Sequence, residues 1–109
     1  MIHELKRYEA SPGKGEALRE RFAKVTLPIF HRLGIKVLHC WEPEGEPDSF
    51  HYLVSFRDAA DSQAAWAAFG ADPQWRSAKA ASETDGPLLA RQTTTVLHPS
   101  AFSPAPPRI

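Results

Sequence analysis

Apolar positions along the chain recur with two different periods, and the change of period predicts where strands give way to helices. The segments 2–8, 35–41, 50–56 and 88–98 are short and rich in β-branched, aromatic or alternating residues, which is typical of strands. From Glu16 onward the apolar spacing lengthens to three and four residues, which stacks side chains on one face of an α-helix. The predicted stripe consists of Leu18, Phe22, Val25, Ile29 and Leu33.

Glycine, proline and aspartate mark where the predicted helices begin and end. Gly34 can adopt a left-handed conformation and end the first helix. Pro28 lacks a backbone donor, so we expect a bend in the last turns of that helix. Asp58 is placed to cap a second helix that runs to Ala71. Asp72, followed directly by proline, starts a further short helix. The second helical region is therefore expected in two pieces.

The order of elements is β-α-β-β-α-β, which predicts an α+β, ferredoxin-like fold with a four-stranded antiparallel sheet and helices on one side. In segment 50–56, alternation places Phe50, Tyr52, Val54 and Phe56 on one face and leaves Leu53 on the other. Both faces of the sheet are thus expected to be apolar. Helices can cover one of them, and an identical chain can cover the other, so the pattern predicts a homodimer through sheet faces.

Length and composition then limit the functional classes. A chain of 109 residues with 42% hydrophobic and 24% charged residues is expected to form one domain, which we place at 1–103, followed by a proline-rich tail at 104–109. A net charge of zero gives no electrostatic footprint for nucleic acid, and no apolar run has the length of a membrane span. Cys40 is the single cysteine, and no leader is evident, so we expect a cytoplasmic protein.

Several motifs are similar to those of one known family. They are the segment Met1–Tyr8 with the Pro12-Gly13-Lys14 turn, Leu27-Pro28 late in the first helix, and Ala65–Phe69 followed by Asp72–Trp75. Over roughly residues 1–103 the chain resembles the NIPSNAP family. The resemblance implies a dimeric α+β barrel, in which two ferredoxin-like subunits pack their sheets together. It supplies no catalytic motif, and relatives with this barrel include cofactor-independent monooxygenases, haem-dependent enzymes and small stress-response proteins.

Candidate chemistry lies in histidines and aromatic residues on the strands. His3, His39 and His51 are the candidate catalytic residues, because a histidine pKa near neutrality suits proton transfer and a neutral ring suits haem iron. Each also has a structural interpretation, in which it hydrogen-bonds the backbone or a partner subunit. No spacing typical of a metal site occurs, so no metal and no cofactor is predicted, and haem is the one cofactor kept as an alternative.

A ligand pocket is expected between the sheet and the helices. Its predicted lining residues are Tyr8, Trp41, Tyr52 and Trp66. The leading hypothesis is that a small hydrophobic or aromatic molecule binds there. One alternative is an oxygenase-like enzyme acting on a small aromatic substrate, cofactor-independent or haem-assisted, with a strand histidine as base. A second alternative is a non-catalytic protein-interaction module, so whether the chain is an enzyme stays open at this stage.

Overall fold

The computed structural model describes residues 1–104 and confirms the α+β, ferredoxin-like fold. Its sheet has the strand order β2-β3-β1-β4, and every neighbouring pair is antiparallel. Of the predicted tail at 104–109, only the first residue lies within the described part of the chain. In chain order the elements are β1 (Ile2–Ala10), α1 (Gly15–Arg21), a π-helical turn (Phe22–Thr26), α2 (Leu27–Arg32), β2 (Lys36–Trp41), β3 (Ser49–Phe56), α3 (Ala59–Ala71), α4 (Pro73–Ser82) and β4 (Leu89–Leu97).

The predicted helix ends are confirmed, because each depends on a short-range interaction. The Asp58 carboxylate accepts a hydrogen bond of 2.8 Å from the backbone N–H of Asp61 at the start of α3. Asp72 does the same for the N–H of Trp75 at 3.0 Å, which begins α4 and splits the second helical region in two. Gly34 follows α2 with a φ of +77°, a left-handed conformation that favours glycine.

Shortly before Pro28, where we expected a bend, the helix contains a π turn that ends at Thr26. The backbone N–H of Leu27 donates to the carbonyl of Phe22, five residues back, where an α-helix would reach back four. Pro28 has no N–H to donate to the carbonyl of Lys24, so the regular ladder would fail at this point in any case. In α2, Ile29 of the predicted stripe is buried, and Phe30, absent from that stripe, is equally buried, with 1% of its surface exposed.

Aromatic rings form the core between the sheet and the helices. The Phe22 ring lies 4.7 Å from the Tyr52 ring and 4.9 Å from the Phe50 ring, measured between centroids. Phe30 contacts Phe69 of α3 at 4.8 Å in an edge-on arrangement. Such tilted and edge-on pairs are the favoured geometry for aromatic side chains. The helices therefore attach to the sheet mainly through ring contacts.

Strand register decides which side chains face this core. In β1 the even-numbered residues point toward the helices, as the buried positions of Ile2 and Glu4 show. Their cross-strand partners on β3 share that face, for example Tyr52 opposite Lys6 and Phe50 opposite Tyr8. The remaining positions form what we call the open face. Its side chains are His3, Leu5, Arg7, Glu9, Lys36, His39, Trp41, Ser49, His51, Leu53, Ser55, Arg91, Thr93, Thr95 and Leu97.

The expectation of two apolar sheet faces was wrong for the open face, which is mixed. Only a central Leu5–Leu53 pair, Trp41 and Leu97 are large apolar side chains there. A β-bulge at Leu38 also breaks the alternation in β2. Simple alternation would put the side chains of residues 37 and 39 on the same face. The bulge puts them on opposite faces.

The turn between β1 and α1 is anchored on the last residues of the β2–β3 loop. The Asp48 carboxylate accepts hydrogen bonds from the backbone N–H groups of Gly13, at 3.3 Å, and Gly15, at 3.1 Å. The Arg19 guanidinium donates to the carbonyl of Pro47. The last residues of the β2–β3 loop therefore hold it against the start of α1, although the glutamates of this loop are largely solvent-exposed.

Replacing Gly15 with alanine tests this anchor. A methyl group there would contact the Pro47 carbonyl and lie 2.8 Å from the Asp48 Cα, so we expect Gly15→Ala to lower the free energy of unfolding by about 1–3 kcal/mol. Gly70→Ala is the matched control. It lies in α3 with open space around the new methyl group, and should raise the free energy by about 0.5–1 kcal/mol. Urea unfolding measures both, and an unchanged value for Gly15→Ala would contradict the close packing.

Candidate functional site

An apolar cleft of about 220 Å³ lies between the π turn and the β2 edge of the sheet. Helical residues form one wall, and strand residues form the other. The cleft is lined by Arg19, Phe22, Ala23, Leu27, Cys40, Trp41, Glu42 and Phe50. Apolar and aromatic side chains with a few polar groups at the rim are the usual composition of a small-molecule site. The cleft is therefore the candidate functional site.

The π turn supplies the helical wall of the cleft. Phe22 and Leu27, which are joined by the π-type hydrogen bond, both line it, with Ala23 between them. Single π turns inside helices occur frequently at functional sites, because the extra residue widens the helix and displaces side chains from the regular stripe. On the opposite wall Cys40 contributes its thiol, and burial raises the pKa of that thiol. Cys40 is thus a small, weakly acidic lining residue.

One arginine and one glutamate mark the rim of the cleft. The Nε atom of Arg19 lies 3.3 Å from a carboxylate oxygen of Glu42, and another guanidinium nitrogen donates to Pro47. The Arg19 side chain is 31% exposed and that of Glu42 is 72% exposed. An ion pair this exposed contributes little to stability. The apolar interior is therefore bordered by a pair of charges that hold each other weakly.

Two tyrosines stand behind the floor of the cleft, not within it. The hydroxyl groups of Tyr8 and Tyr52 are hydrogen-bonded to each other at 2.7 Å, and both rings contact Phe22 and Phe50. Burial raises the pKa of Tyr8, although the bond to Tyr52 opposes the rise. Burial, together with the neighbouring Tyr8 hydroxyl, raises the pKa of Tyr52 well above its ordinary value. Neither phenol can act as a base near neutral pH.

A buried cluster of polar side chains lies between β1 and α3. The Glu4 carboxylate accepts hydrogen bonds from the Ser62 hydroxyl and, at 3.0 Å, from the indole N–H of Trp66. Lys6 lies 3.5 Å from that carboxylate, donates to Thr94 at 2.8 Å and sits over the Trp66 ring at 4.4 Å. Desolvation lowers the pKa of Lys6, and the Glu4 charge opposes that effect.

Every buried side-chain polar atom in residues 1–104, this cluster included, has a hydrogen-bond partner. A buried cluster whose polar atoms all have hydrogen-bond partners fixes the position of α3 on the sheet. Sequence reasoning missed Glu4 and Lys6. The available signal was their position on the β1 face that also carries Ile2, Tyr8 and Ala10, since charges on a core-facing row need partners.

The structure separates the predicted site residues into three groups. Trp41 lines the cleft, whereas Tyr8, Tyr52 and Trp66 belong to the core beneath the helices. His3, His39 and His51 lie on the open face of the sheet, away from that core. His39 stacks on Trp41 with ring centroids 5.4 Å apart. The cleft has no histidine among its lining residues.

One of these histidines borders a second, polar cavity of about 440 Å³ at the end of the open face nearest the β2–β3 loop. An ion pair of 2.8 Å between Arg91 and Glu9 lies in its wall. The lining residues are Arg7, Tyr8, Glu9, Glu46, Ser49, His51, Arg91 and Thr93. Opposite charges are evenly matched there, so this cavity has no clear preference for an anion or a cation.

Among residues 1–104, no three histidine, cysteine, aspartate or glutamate side chains come close enough together to hold a metal ion. None of the helices found there is both long and apolar enough to cross a membrane.

Comparison with known proteins gives a consistent result at the level of the family and the fold. The NIPSNAP family model matches residues 3–104. An uncharacterized NIPSNAP domain protein from Burkholderia xenovorans is 24% identical, with a TM-score of 0.79 over 96% of this chain and 100% of that one. A NIPSNAP family protein from Agrobacterium tumefaciens is 15% identical, with a TM-score of 0.80 over 94% and 96%.

A more distant neighbour carries a functional name. This protein of Nitrosomonas europaea, named as a candidate antibiotic biosynthesis monooxygenase, is 12% identical, with a TM-score of 0.63 over 94% of this chain and 100% of that one. The similarity extends to the fold alone. No curated protein matches the chain.

The tyrosine pair makes a prediction about alkaline pH. The chain has two tyrosines, and both are in the pair. We expect the folded protein to show no tyrosinate absorbance at pH 10.0, which is the ordinary pKa of tyrosine. Because burial raises the folded-state pKa values of both tyrosines, their contribution to stability should be constant below a pH of about 10 and fall above it, as the unfolded chain loses its phenolic protons first. A spectrophotometric titration with parallel circular dichroism checks this, and tyrosinate formation at pH 10.0 in the folded protein would contradict it.

Proposed function

This chain belongs to the NIPSNAP family, and from that membership we propose that it is a homodimeric protein that binds one small apolar or aromatic molecule in the cleft of each protomer. The observation that carries the proposal is the cleft itself, which is open to solvent and has an aromatic floor. A cytoplasmic location is part of the proposal, since the single cysteine forms no disulfide.

The shape and composition of the cleft support a small ligand. At about 220 Å³ it is below the usual range of drug-sized pockets, so a molecule with one or two rings would fill it. Phe22 and Phe50 offer tilted rings on the helix side of the sheet, and Cys40 lies beside them in the lining. An aromatic ligand could continue the edge-on packing that already holds these rings.

The homodimer is supported by the open face. At its centre Leu5 pairs with Leu53, and Trp41 and Leu97 extend the apolar area toward both edges. The helices lie on the opposite side of the sheet, so they leave these side chains uncovered. A second copy would cover the same surface on both chains at once, as a two-fold interface does. The histidines would then lie at the interface.

The oxygenase-like alternative is less well supported by the geometry. It requires a strand histidine facing the substrate, and His3, His39 and His51 all lie on the open face, whereas the apolar cleft is bordered by none of them. Haem bound through a strand histidine is less well supported for the same reason, because no imidazole borders the cleft. We therefore favour binding over catalysis.

The dimer can be tested by sedimentation. The wild-type protein should sediment at twice 12.1 kDa at micromolar concentration. Leu53→Glu should give a folded monomer, because it places two like charges near each other at the centre of the interface without touching the helix-packed core. Ala68→Glu, at an exposed position on α3, is the control and should remain dimeric. A wild-type monomer would refute the dimer, and a dimeric Leu53→Glu would place the interface elsewhere.

Ligand binding can be tested through Cys40, which is the single cysteine and lines the cleft. We expect a neutral aromatic probe, cinnamyl alcohol, to slow the reaction of Cys40 with a disulfide reagent in a saturable manner. Ala23→Phe should fill the cleft and weaken this protection at least about tenfold. Ala68→Phe, outside the cleft, should leave it unchanged. If neither cinnamyl alcohol nor cinnamate, its carboxylate counterpart, gives protection or a heat of binding, the proposed cleft function is wrong.

A further inference from the structure

We infer that the cleft selects aromatic molecules that carry a carboxylate, with Arg19 as the residue that determines this specificity. The inference rests on the proposed binding function, because it identifies the ligand class of the same cleft. Its basis is the position and the bonding of Arg19 at the rim.

The Arg19 guanidinium is held in place but keeps most of its donors. A guanidinium has five N–H donors. Among residues 1–104 one of its nitrogens donates to the Pro47 carbonyl, and Nε lies 3.3 Å from the Glu42 carboxylate. Pro47 belongs to the loop that Asp48 fastens to the start of α1. The side chain is thus oriented by the backbone, and its remaining N–H groups are available for a planar acceptor.

A ligand carboxylate would compete with Glu42 for the Arg19 guanidinium. With 72% of its side chain exposed, it is near its fully solvated state, so leaving Arg19 costs it little. A ligand carboxylate attached to a buried ring would gain the same charge pairing together with the burial of apolar area. Replacement of Glu42 at Arg19 therefore favours a ligand that has both an aromatic ring and a carboxylate.

The cleft has one positive and one negative lining residue, and the way these two are bonded favours an anion over a cation. Arg19 and Glu42 are the two charged residues in its lining. When Glu42 moves into solvent, the rim is left with the guanidinium alone, which is pinned by Pro47 and cannot follow. A cationic ligand paired with Glu42 would instead lie beside the oriented Arg19 guanidinium and be repelled by it. The apolar wall then accommodates the ring, and the rim binds the carboxylate.

Cinnamate and cinnamyl alcohol provide a matched pair of probes, because they share the ring and the linker and differ in the anionic group. We expect the wild-type protein to bind cinnamate about tenfold or more tightly than the alcohol at low ionic strength, with the difference reduced by added salt. Calorimetry, supported by protection of Cys40, measures both affinities on the full-length protein.

Two variants test whether Arg19 and Glu42 cause the preference for cinnamate, and a third is the control. Arg19→Gln should remove the preference, so that this variant binds cinnamate and cinnamyl alcohol with affinities within about twofold of each other. Glu42→Gln should tighten cinnamate binding by roughly three- to tenfold, because the competing carboxylate is gone. Glu44→Gln, on the same exposed loop but outside the cleft lining, is the control and should change neither affinity.

The outcomes separate this inference from the proposed function. Equal binding of the two probes, or a preference for cinnamate that survives Arg19→Gln, would overturn the carboxylate inference and leave the binding function intact. Failure of both probes to bind would overturn both. Because Arg19→Gln also removes the contact with Pro47, Arg19→Lys serves as a second variant, and we expect it to retain part of the preference through charge alone.

Discussion

The burial of the Phe22 ring is the interaction on which the rest of the structure depends. This ring contacts four other aromatic rings, two on β3, one on β1 and one on α2, and it is 5% exposed. It is also the first residue of the π turn, so the widened helix and the aromatic core meet at one side chain. Its outer edge forms part of the cleft floor. Fold and candidate site therefore share the same packing contacts, and neither could change independently of this ring.

Local signals in the sequence were sufficient for the elements and their ends. The Asp58 and Asp72 caps act over three residues, and Gly34 needs only its own backbone freedom, so each could be read without knowing the tertiary structure. The order of these elements then restricted the topology to one common arrangement. The resemblance to the NIPSNAP family, which the family comparison bears out, rested on similarly local motifs.

Features that add or displace one residue could not be predicted from periodicity. The bulge at Leu38 shifts the face on which later side chains lie, so the two faces of β2 were not anticipated, and neither was the burial of Phe30 after the π turn. The pairing of Glu4 with Trp66 joins residues far apart in the chain, and no local pattern contains it. For the candidate site, Trp41 was identified in advance, but Arg19 was not, because its importance depends on a loop that folds back beside it.

The Pro47 carbonyl has two neighbours, and this has an evolutionary consequence. It lies against Gly15, where no larger side chain fits, and it accepts the hydrogen bond that orients Arg19. A substitution that moved this peptide group would therefore alter the turn into α1 and the rim of the cleft together. Selection acting on ligand preference and selection acting on folding would be coupled at this position. Divergence in this part of the chain should accordingly occur through paired replacements in the turn and in the loop, with single changes tolerated least.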